Sequence, residues 1–149
     1  MKKFVKLILI LVVMMLLGCG KVSEIVGEDL AQTLTENVLF SEQLTEINAS
    51  NAEKRFLLNP KDYTELTSYV GTASACDEFA IIKTDDTETI IKKLNEYIDR
   101  TRQEYETYRP KQAKKLDLAI IEVYKDTVVM IITADTDGAK TAYNEYLKK

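Results

Sequence analysis

The stretch Glu78-Phe79-Ala80-Ile81-Ile82-Lys83 is apolar on both of the faces that a β-strand presents. Successive side chains of a strand point to opposite sides of the sheet, so a strand with one solvated face alternates between apolar and polar residues. Four consecutive apolar residues therefore predict an inner strand that is covered on both sides. A sheet built around such a strand needs helices on both of its faces.

Three further segments have the composition of strands. Tyr63 to Val70 alternates along its length and is rich in aromatic and β-branched residues, which indicates a half-exposed strand. Leu118 to Tyr124 and Thr127 to Thr133 are strongly β-forming and are separated only by Lys125 and Asp126. Such a short connection predicts a tight hairpin. The sheet therefore has about four strands and is mixed or antiparallel.

Helical periodicity marks three segments. From Ser23 to Phe40 apolar residues recur every four positions, with Gly27 as a late start. The clearest helix runs from about Thr87 to Tyr108, and Pro110 stops it. A final helix begins near Asp135, whose side chain can cap it. We expect the long and final helices on one face of the sheet and the N-terminal helix on the other.

Two local features complete the predicted fold. Asp85 with Glu88 forms a plausible capping pair for the long helix, and Ser50 is placed to cap a short helix that carries Ala52 and Phe56. The sequence thus predicts an α+β fold in which about three helices pack on about four strands, in the order α-β-β-α-β-β-α.

The first nineteen residues have the layout of an export signal. Three lysines lie within the first six residues, Leu7 to Leu17 is an unbroken apolar run, and the small Gly18 precedes Cys19. Eleven residues at about 1.5 Å each span about half of a ~30 Å hydrocarbon core, so a permanent membrane helix is disfavoured. We expect this segment to be removed.

The ending Leu16-Leu17-Gly18-Cys19 resembles the lipobox of bacterial lipoprotein signal peptides. The resemblance implies cleavage after Gly18, with diacylglyceryl and acyl chains on Cys19 that fix the protein to the outer face of the cell membrane. Two chains anchor a protein stably, at about 0.8 kcal/mol for each buried CH2. The alternative is an ordinary secreted protein with Cys19 near its start.

Lipobox cleavage defines the expected organisation of the chain. Residues 1–18 are the signal peptide, 19–27 hold the lipidated cysteine and a short tether, and 28–149 form a single domain. Cleavage leaves 17 of the 20 basic residues against 24 acidic ones, a net charge of −7. Such a chain is a poor ligand for nucleic acid and is repelled by anionic lipid, so attachment depends on the acyl chains.

The chain contains no histidine, which excludes Ser-His-Asp triads, Cys-His pairs and histidine-based zinc sites. Cys76 is the only thiol that remains after lipidation, and its place beside an apolar strand predicts a small buried side chain. The sequence predicts no catalytic residue, no metal site and no cofactor.

Two sets of side chains have an alternative, functional interpretation. Four carboxylates flank the inner strand and can in principle do acid–base work, but their spacing shows no convergence and predicts solvated strand ends. Three tyrosines of the long helix can stack on a sugar, but their register places them in or beside the core. These residues are Asp77, Glu78, Asp85 and Asp86, and Tyr97, Tyr105 and Tyr108.

The segment Asp135-Thr136-Asp137-Gly138 resembles the opening of a calcium loop. The later ligand positions of such a loop fall on Ala139 and Tyr146, which have no carboxylate. Helix capping is therefore the predicted role of Asp135.

Four short motifs carry a family resemblance by their order and spacing. They are Phe40-Ser41-Glu42-Gln43-Leu44 before Ala52 and Phe56, Asp77 to Lys83, Tyr108-Arg109-Pro110-Lys111-Gln112, and Asp135-Thr136-Asp137. Together they resemble the bacterial lipoproteins grouped as domain of unknown function 4358, over roughly residues 28 to 147. The resemblance implies an α+β domain on the outer face of the membrane, with no established activity and no catalytic residues to carry over.

These features predict a non-enzymatic lipoprotein that binds or assists a protein partner at the cell envelope. The 131 residues after the signal are too few for the two-lobed clamp of a solute receptor. The alternative is a small cell-wall or envelope hydrolase that uses carboxylates or a Ser/Lys arrangement. A third interpretation is a structural spacer close to the membrane.

Overall fold

A computed structural model describes residues 21–72 and 74–149. Gly18 and Cys19 lie outside the described residues. Over the described ranges the chain forms five helices and five strands, which confirms the predicted α+β class. The helices are α1 (Gly27–Asn37), α2 (Ala49–Phe56), α3 (Thr87–Tyr108), α4 (Pro110–Leu116) and α5 (Thr136–Tyr146). The strands are β1 (Thr45–Glu46), β2 (Glu65–Val70), β3 (Glu78–Lys83), β4 (Ile120–Tyr124) and β5 (Thr127–Ile132).

The sheet is antiparallel, and its strand order is β1-β2-β3-β5-β4. The predicted inner strand, β3, occupies the centre, where Phe79 lies between Tyr69 of β2 and Ile131 of β5. The predicted hairpin is also confirmed, because Tyr124 pairs with Thr127 across a two-residue turn. Two short elements, β1 and α4, were not predicted.

Helices cover both faces of the sheet, as the apolar character of β3 requires. Phe79 and Ile81 face α1 and α5, whereas Ala80 and Ile82 face α2 and α3. The prediction that α5 shares a face with α3 is therefore wrong, because α5 packs beside α1. The small residues of α5, Ala139 and Ala142, allow the close approach of the two helices.

The long helix α3 has the predicted limits, but its predicted capping pair is wrong. Asp86, not Asp85 with Glu88, is the cap, and its Oδ1 accepts a hydrogen bond of 3.0 Å from the Thr89 N–H. Pro110 ends α3 and also opens α4. A proline is tolerated in the first turn of a helix because the backbone N–H that it lacks would have no partner there.

The two other predicted caps have different outcomes. The short helix α2 forms as predicted, but Asn48 caps it in place of Ser50, since the Asn48 side chain accepts from the Asn51 N–H. Asp135 caps α5 as predicted and accepts from the Gly138 N–H at 3.1 Å.

The chain before α1 lies against the domain. The Val22 N–H donates to the Leu147 carbonyl at 3.2 Å, and the Tyr124 hydroxyl donates to the Val22 carbonyl at 2.8 Å. Ile25 is buried in the core beside α1 and α5. Residues 22 to 26 are thus held at the end of the domain where α5 ends and β4 turns into β5.

The N-terminal helix is shorter than the Ser23 to Phe40 segment that its periodicity predicts. It begins at Gly27, the predicted late start, and ends at Asn37. Val26 and Leu39, which the pattern placed on or beside the apolar stripe, lie outside the helix and are exposed. None of the helices within the described residues has the length and apolar composition that crossing a bilayer requires.

Candidate functional site

The buried charged side chains among the described residues gather where the chain enters β3. Asp77 and Glu78 are both buried there, so the prediction that they form a solvated strand end is wrong. Cys76, the residue before them, has a φ of 61°, in the left-handed region that non-glycine residues rarely adopt. Two adjacent carboxylates and a strained residue mark this turn as the candidate site.

Glu78 lies on the α2 and α3 side of the sheet, and its side chain has no solvent exposure. The Arg55 guanidinium of α2 donates through Nε to Glu78 Oε2 at 2.7 Å, and the Tyr97 hydroxyl of α3 donates to Oε1 at 2.5 Å. The guanidinium carbons of Arg55 and Arg100 lie 5.3 and 5.8 Å from the centre of the Tyr97 ring. The buried carboxylate therefore has a cation and a hydroxyl as partners.

Burial shifts the pKa values of the ionisable groups around Glu78. Desolvation raises the pKa of Glu78, while the charge and hydrogen bond of Arg55 and the hydrogen bond of Tyr97 act in the opposite direction. Desolvation, with the nearby Glu78, also raises the pKa of Tyr97. The same two causes raise the pKa of the Cys76 thiol to about 11. Cys76 is thus a protonated, buried thiol at neutral pH, as its sequence position predicts, and a poor nucleophile.

Asp77 binds a different cation. Lys115 of α4 donates from Nζ to Asp77 Oδ1 at 2.8 Å, to the Ala75 carbonyl at 2.6 Å and to Ser41 Oγ at 3.1 Å. The Ser41 N–H donates to the second oxygen of Asp77 at 2.7 Å. These bonds connect the segment after α1, the turn before β3 and α4. We call Ser41, Asp77 and Lys115 the lysine cluster.

The lysine cluster contains a serine and a lysine in contact, which the hydrolase alternative requires. A general base needs a lone pair on Nζ, but the three hydrogens of an ammonium group match the three acceptors around Lys115. An ammonium paired with Asp77 donates to Ser41 Oγ and does not withdraw a proton from it. The arrangement favours a cross-link between loops.

The four carboxylates around β3 do not converge. Asp77 and Glu78 precede or open β3 and bind cations from different helices. Asp85 and Asp86 follow β3 at its other end, where Asp86 caps α3. Among the described residues, no group of three or more cysteine, aspartate and glutamate side chains is placed to hold a metal ion.

The three tyrosines of α3 have different environments. Tyr97 is buried as predicted and Tyr105 is half-buried, but Tyr108 is 84% exposed, so its predicted place beside the core is wrong. The 22 residues of α3 extend about 33 Å and the six of β3 only about 20 Å, so the last turn passes the sheet. Tyr105 and Tyr108 line an open cleft of ≈ 430 Å³ with Glu104 and Arg109.

A family model matches residues 37–133, from the last residue of α1 to the residue after β5, and its description is a domain of unknown function, DUF4358. The chain belongs to this family. The match spans all five strands of the DUF4358 domain and every residue of the two buried ion pairs, while most of α1 and all of α5 lie outside it. Searches of curated proteins and of solved structures found no match.

Sequence reasoning missed Arg55 and Lys115, the cations of the site. They are separated from their partners by 23 and 38 residues along the chain. The one signal was indirect. Two carboxylates that open a doubly covered strand need positive partners, because an unpaired buried charge is costly.

Replacing Arg55 tests the polar core of the DUF4358 domain. Arg55→Met removes the cation and keeps most of the apolar stem, which leaves Glu78 buried without a counter-charge. We expect a loss of about 3 kcal/mol in the free energy of unfolding, the low end for a broken buried pair, because the Arg55 side chain is 36% exposed. The measurement is urea denaturation across a pH series.

The loss in Arg55→Met should grow with pH. Without Arg55 the pKa of Glu78 rises further above its value in the unfolded chain. Such a group contributes stability that is fully present below the unfolded pKa and is lost as the pH rises through the folded pKa. The control, Arg55→Met with Glu78→Gln, should lack this added pH dependence. An equal loss for Arg55→Met at about pH 5 and about pH 8 would contradict the assignment.

Proposed function

We propose that this protein is a lipid-anchored binding or accessory protein, without catalytic activity, on the outer face of the cell membrane. The observation that carries the proposal is the packing of residues 22 to 26 on the domain, directly after the lipobox-like ending. Two residues separate Cys19 from Val22. At ~3.6 Å for each extended residue, the distance from Cys19 to Val22 is at most about 11 Å.

A connection this short favours one orientation of the domain on the bilayer. The end that holds Val22 faces the membrane, and it includes the β4–β5 turn and the end of α5. Four exposed lysines belong to this end, but so do the exposed Glu24 and Glu145, so the acyl chains and not a basic patch supply the attachment. The lysines are Lys21, Lys125, Lys148 and Lys149.

The lysine cluster and the Tyr108 cleft lie at the other end of the domain. Lys83, the last residue of β3, contacts Glu24 at 3.1 Å, so β3 ends at the end of the domain that holds Val22 and begins at the opposite end. On an anchored protein, the turn before β3 and the end of α3 would face outward from the bilayer.

The pairing of the buried charged groups supports a role without catalysis. Glu78 binds Arg55 and Tyr97, and Asp77 binds Lys115 and the Ser41 N–H. Groups that satisfy one another in this way stabilise loops and are not available to a substrate. The exposed surfaces of the domain then provide its function, and a protein is the class of partner that such surfaces suit.

A hydrolase is the second candidate, and one contact favours it. Ser41 is exposed, and its Oγ lies 3.1 Å from Lys115 Nζ, within reach of a Ser/Lys mechanism. The ion pair of Lys115 with Asp77 opposes this role, as does the donation from Nζ to the Ala75 carbonyl.

Replacing Cys19 tests the anchor. In cells grown with radiolabelled palmitate, Cys19→Ala should lose the label, because no acyl chain is attached. The control is Cys76→Ala, which keeps Cys19 and should retain the palmitate label. Label in Cys19→Ala, or Met1 as the N-terminus of the purified wild-type protein, would contradict the proposal.

A fluorophosphonate probe tests the hydrolase candidate, because it labels serines that a base activates. We expect no labelling of the wild-type protein under conditions that label a known serine hydrolase. Labelling that disappears in both Ser41→Ala and Lys115→Met would establish the hydrolase in place of the binding protein.

A further inference from the structure

One edge of the sheet is open along a whole strand. Within residues 21–72 and 74–149, β4 has one neighbouring strand, β5. The two-residue turn makes Tyr124 and Thr127 a hydrogen-bonded pair, so the alternation of an antiparallel ladder directs the backbone N–H and C=O groups of Ile121 and Val123 outward. Such an edge is a template for a further strand. The opposite edge, β1, has only two residues.

A cleft of ≈ 580 Å³ runs beside this edge, between β4 and α3. Ile121 pairs with Met130 and Val123 with Val128, and both partners lie in the core beneath α3. The side chains of Ile121 and Val123 therefore point to the α3 side and form part of the apolar floor. Val123 is 43% exposed, a large value for a valine in a sheet. A strand added to β4 would place every second side chain in this cleft.

The rim of the cleft is acidic. Arg102 of α3 lies between three carboxylates, at 3.2 Å from Asp99, 3.4 Å from Glu106 and 3.6 Å from Asp117. Of these carboxylates, Asp99 and Asp117 line the cleft with Arg102, so the lining has a net charge of −1. On the other face of β4, Glu122 adds a further carboxylate beside the same edge.

We propose that β4 and this cleft bind an extended segment of a partner protein as a sixth strand, and that apolar residues alternate with lysine or arginine in this segment. The proposal rests on the proposed binding function and names its partner. Main-chain hydrogen bonds to Ile121 and Val123 supply affinity, and pockets for alternate side chains supply specificity. The apolar residues fill the cleft, and the basic residues on the other face lie beside Glu122.

Charge argues against a second copy of this chain at the edge. Antiparallel pairing of two β4 strands about their centre places Glu122 opposite Glu122, and like charges directly opposite are destabilising. It also brings two acidic rims together. A basic partner has neither penalty.

The test uses the purified full-length, lipidated protein in detergent and peptides of about nine residues, long enough to pair with β4 at ~3.3 Å for each residue. One peptide alternates valine and lysine, a second has the same composition in two blocks, and a third has glutamate in place of lysine. Fluorescence anisotropy measures binding. We expect the alternating lysine peptide to bind about tenfold or more tightly than either of the others.

Val123→Pro is the decisive variant. It removes an outward N–H and leaves the bonds between β4 and β5 intact, so it should abolish binding. The matched control, Val123→Thr, keeps the N–H and the β-branched shape and should still bind. Glu122→Lys, on the face of β4 where the basic residues would lie, should weaken binding of the lysine peptide and strengthen binding of the glutamate peptide.

Three results would overturn the proposal. They are equal binding by Val123→Pro and Val123→Thr, equal binding of the block peptide, and a wild-type dimer that Val123→Pro makes monomeric, since a second copy would then occupy the edge. Failure here is separable from failure of the proposed function. If Cys19 carries palmitate but no peptide binds at the β4 edge, the docking proposal is wrong and the proposal of an anchored protein stands.

Discussion

The two-sided burial of β3 is the constraint on which this structure depends. A strand that is apolar on both faces holds the centre of a sheet only if each face is covered, and the chain meets that requirement with α1 and α5 on one side and α2 and α3 on the other. The same burial extends to Asp77 and Glu78, where β3 begins. Each carboxylate then needs a positive partner, and Lys115 and Arg55 supply one each. The polar core is thus a consequence of the fold.

The same constraint positions the start of the domain. Because α1 must cover one face beside α5, its first turn lies where α5 ends, and the residues before it are held against Leu147 and Tyr124. If Cys19 carries lipid, the domain lies close to the bilayer, and the end that holds Val22 faces it. The strand β4 then runs outward from the membrane, with Tyr124 near it and Ile120 farther away, so that its open edge is accessible from the side.

The elements that follow from local pattern were predictable from the sequence. The limits of β3 and α3 agree with the prediction because four apolar residues in succession and a long three-and-four spacing depend on near neighbours alone. The side of the sheet on which α5 packs was not predictable, since Ala139 and Tyr143 face a core on either side equally well. The partners of Asp77 and Glu78 are tens of residues away, and adjacent carboxylates usually lie in solvent. Tyr108 is exposed because α3 extends past the end of the sheet. The apolar periodicity of α3 gives no information about where the sheet ends.

The proposed orientation of the domain on the membrane connects the fold to the proposed role. It can be measured with single fluorophores in a Cys76→Ala background, one attached through Lys148→Cys and one through Tyr108→Cys, on the lipidated protein in liposomes that contain spin-labelled headgroups. The account predicts strong quenching at residue 148 and little at residue 108, because Lys148 follows α5 at the end that holds Val22, whereas Tyr108 ends α3 at the other end of a domain about 30 Å long. Equal quenching at the two positions would contradict it.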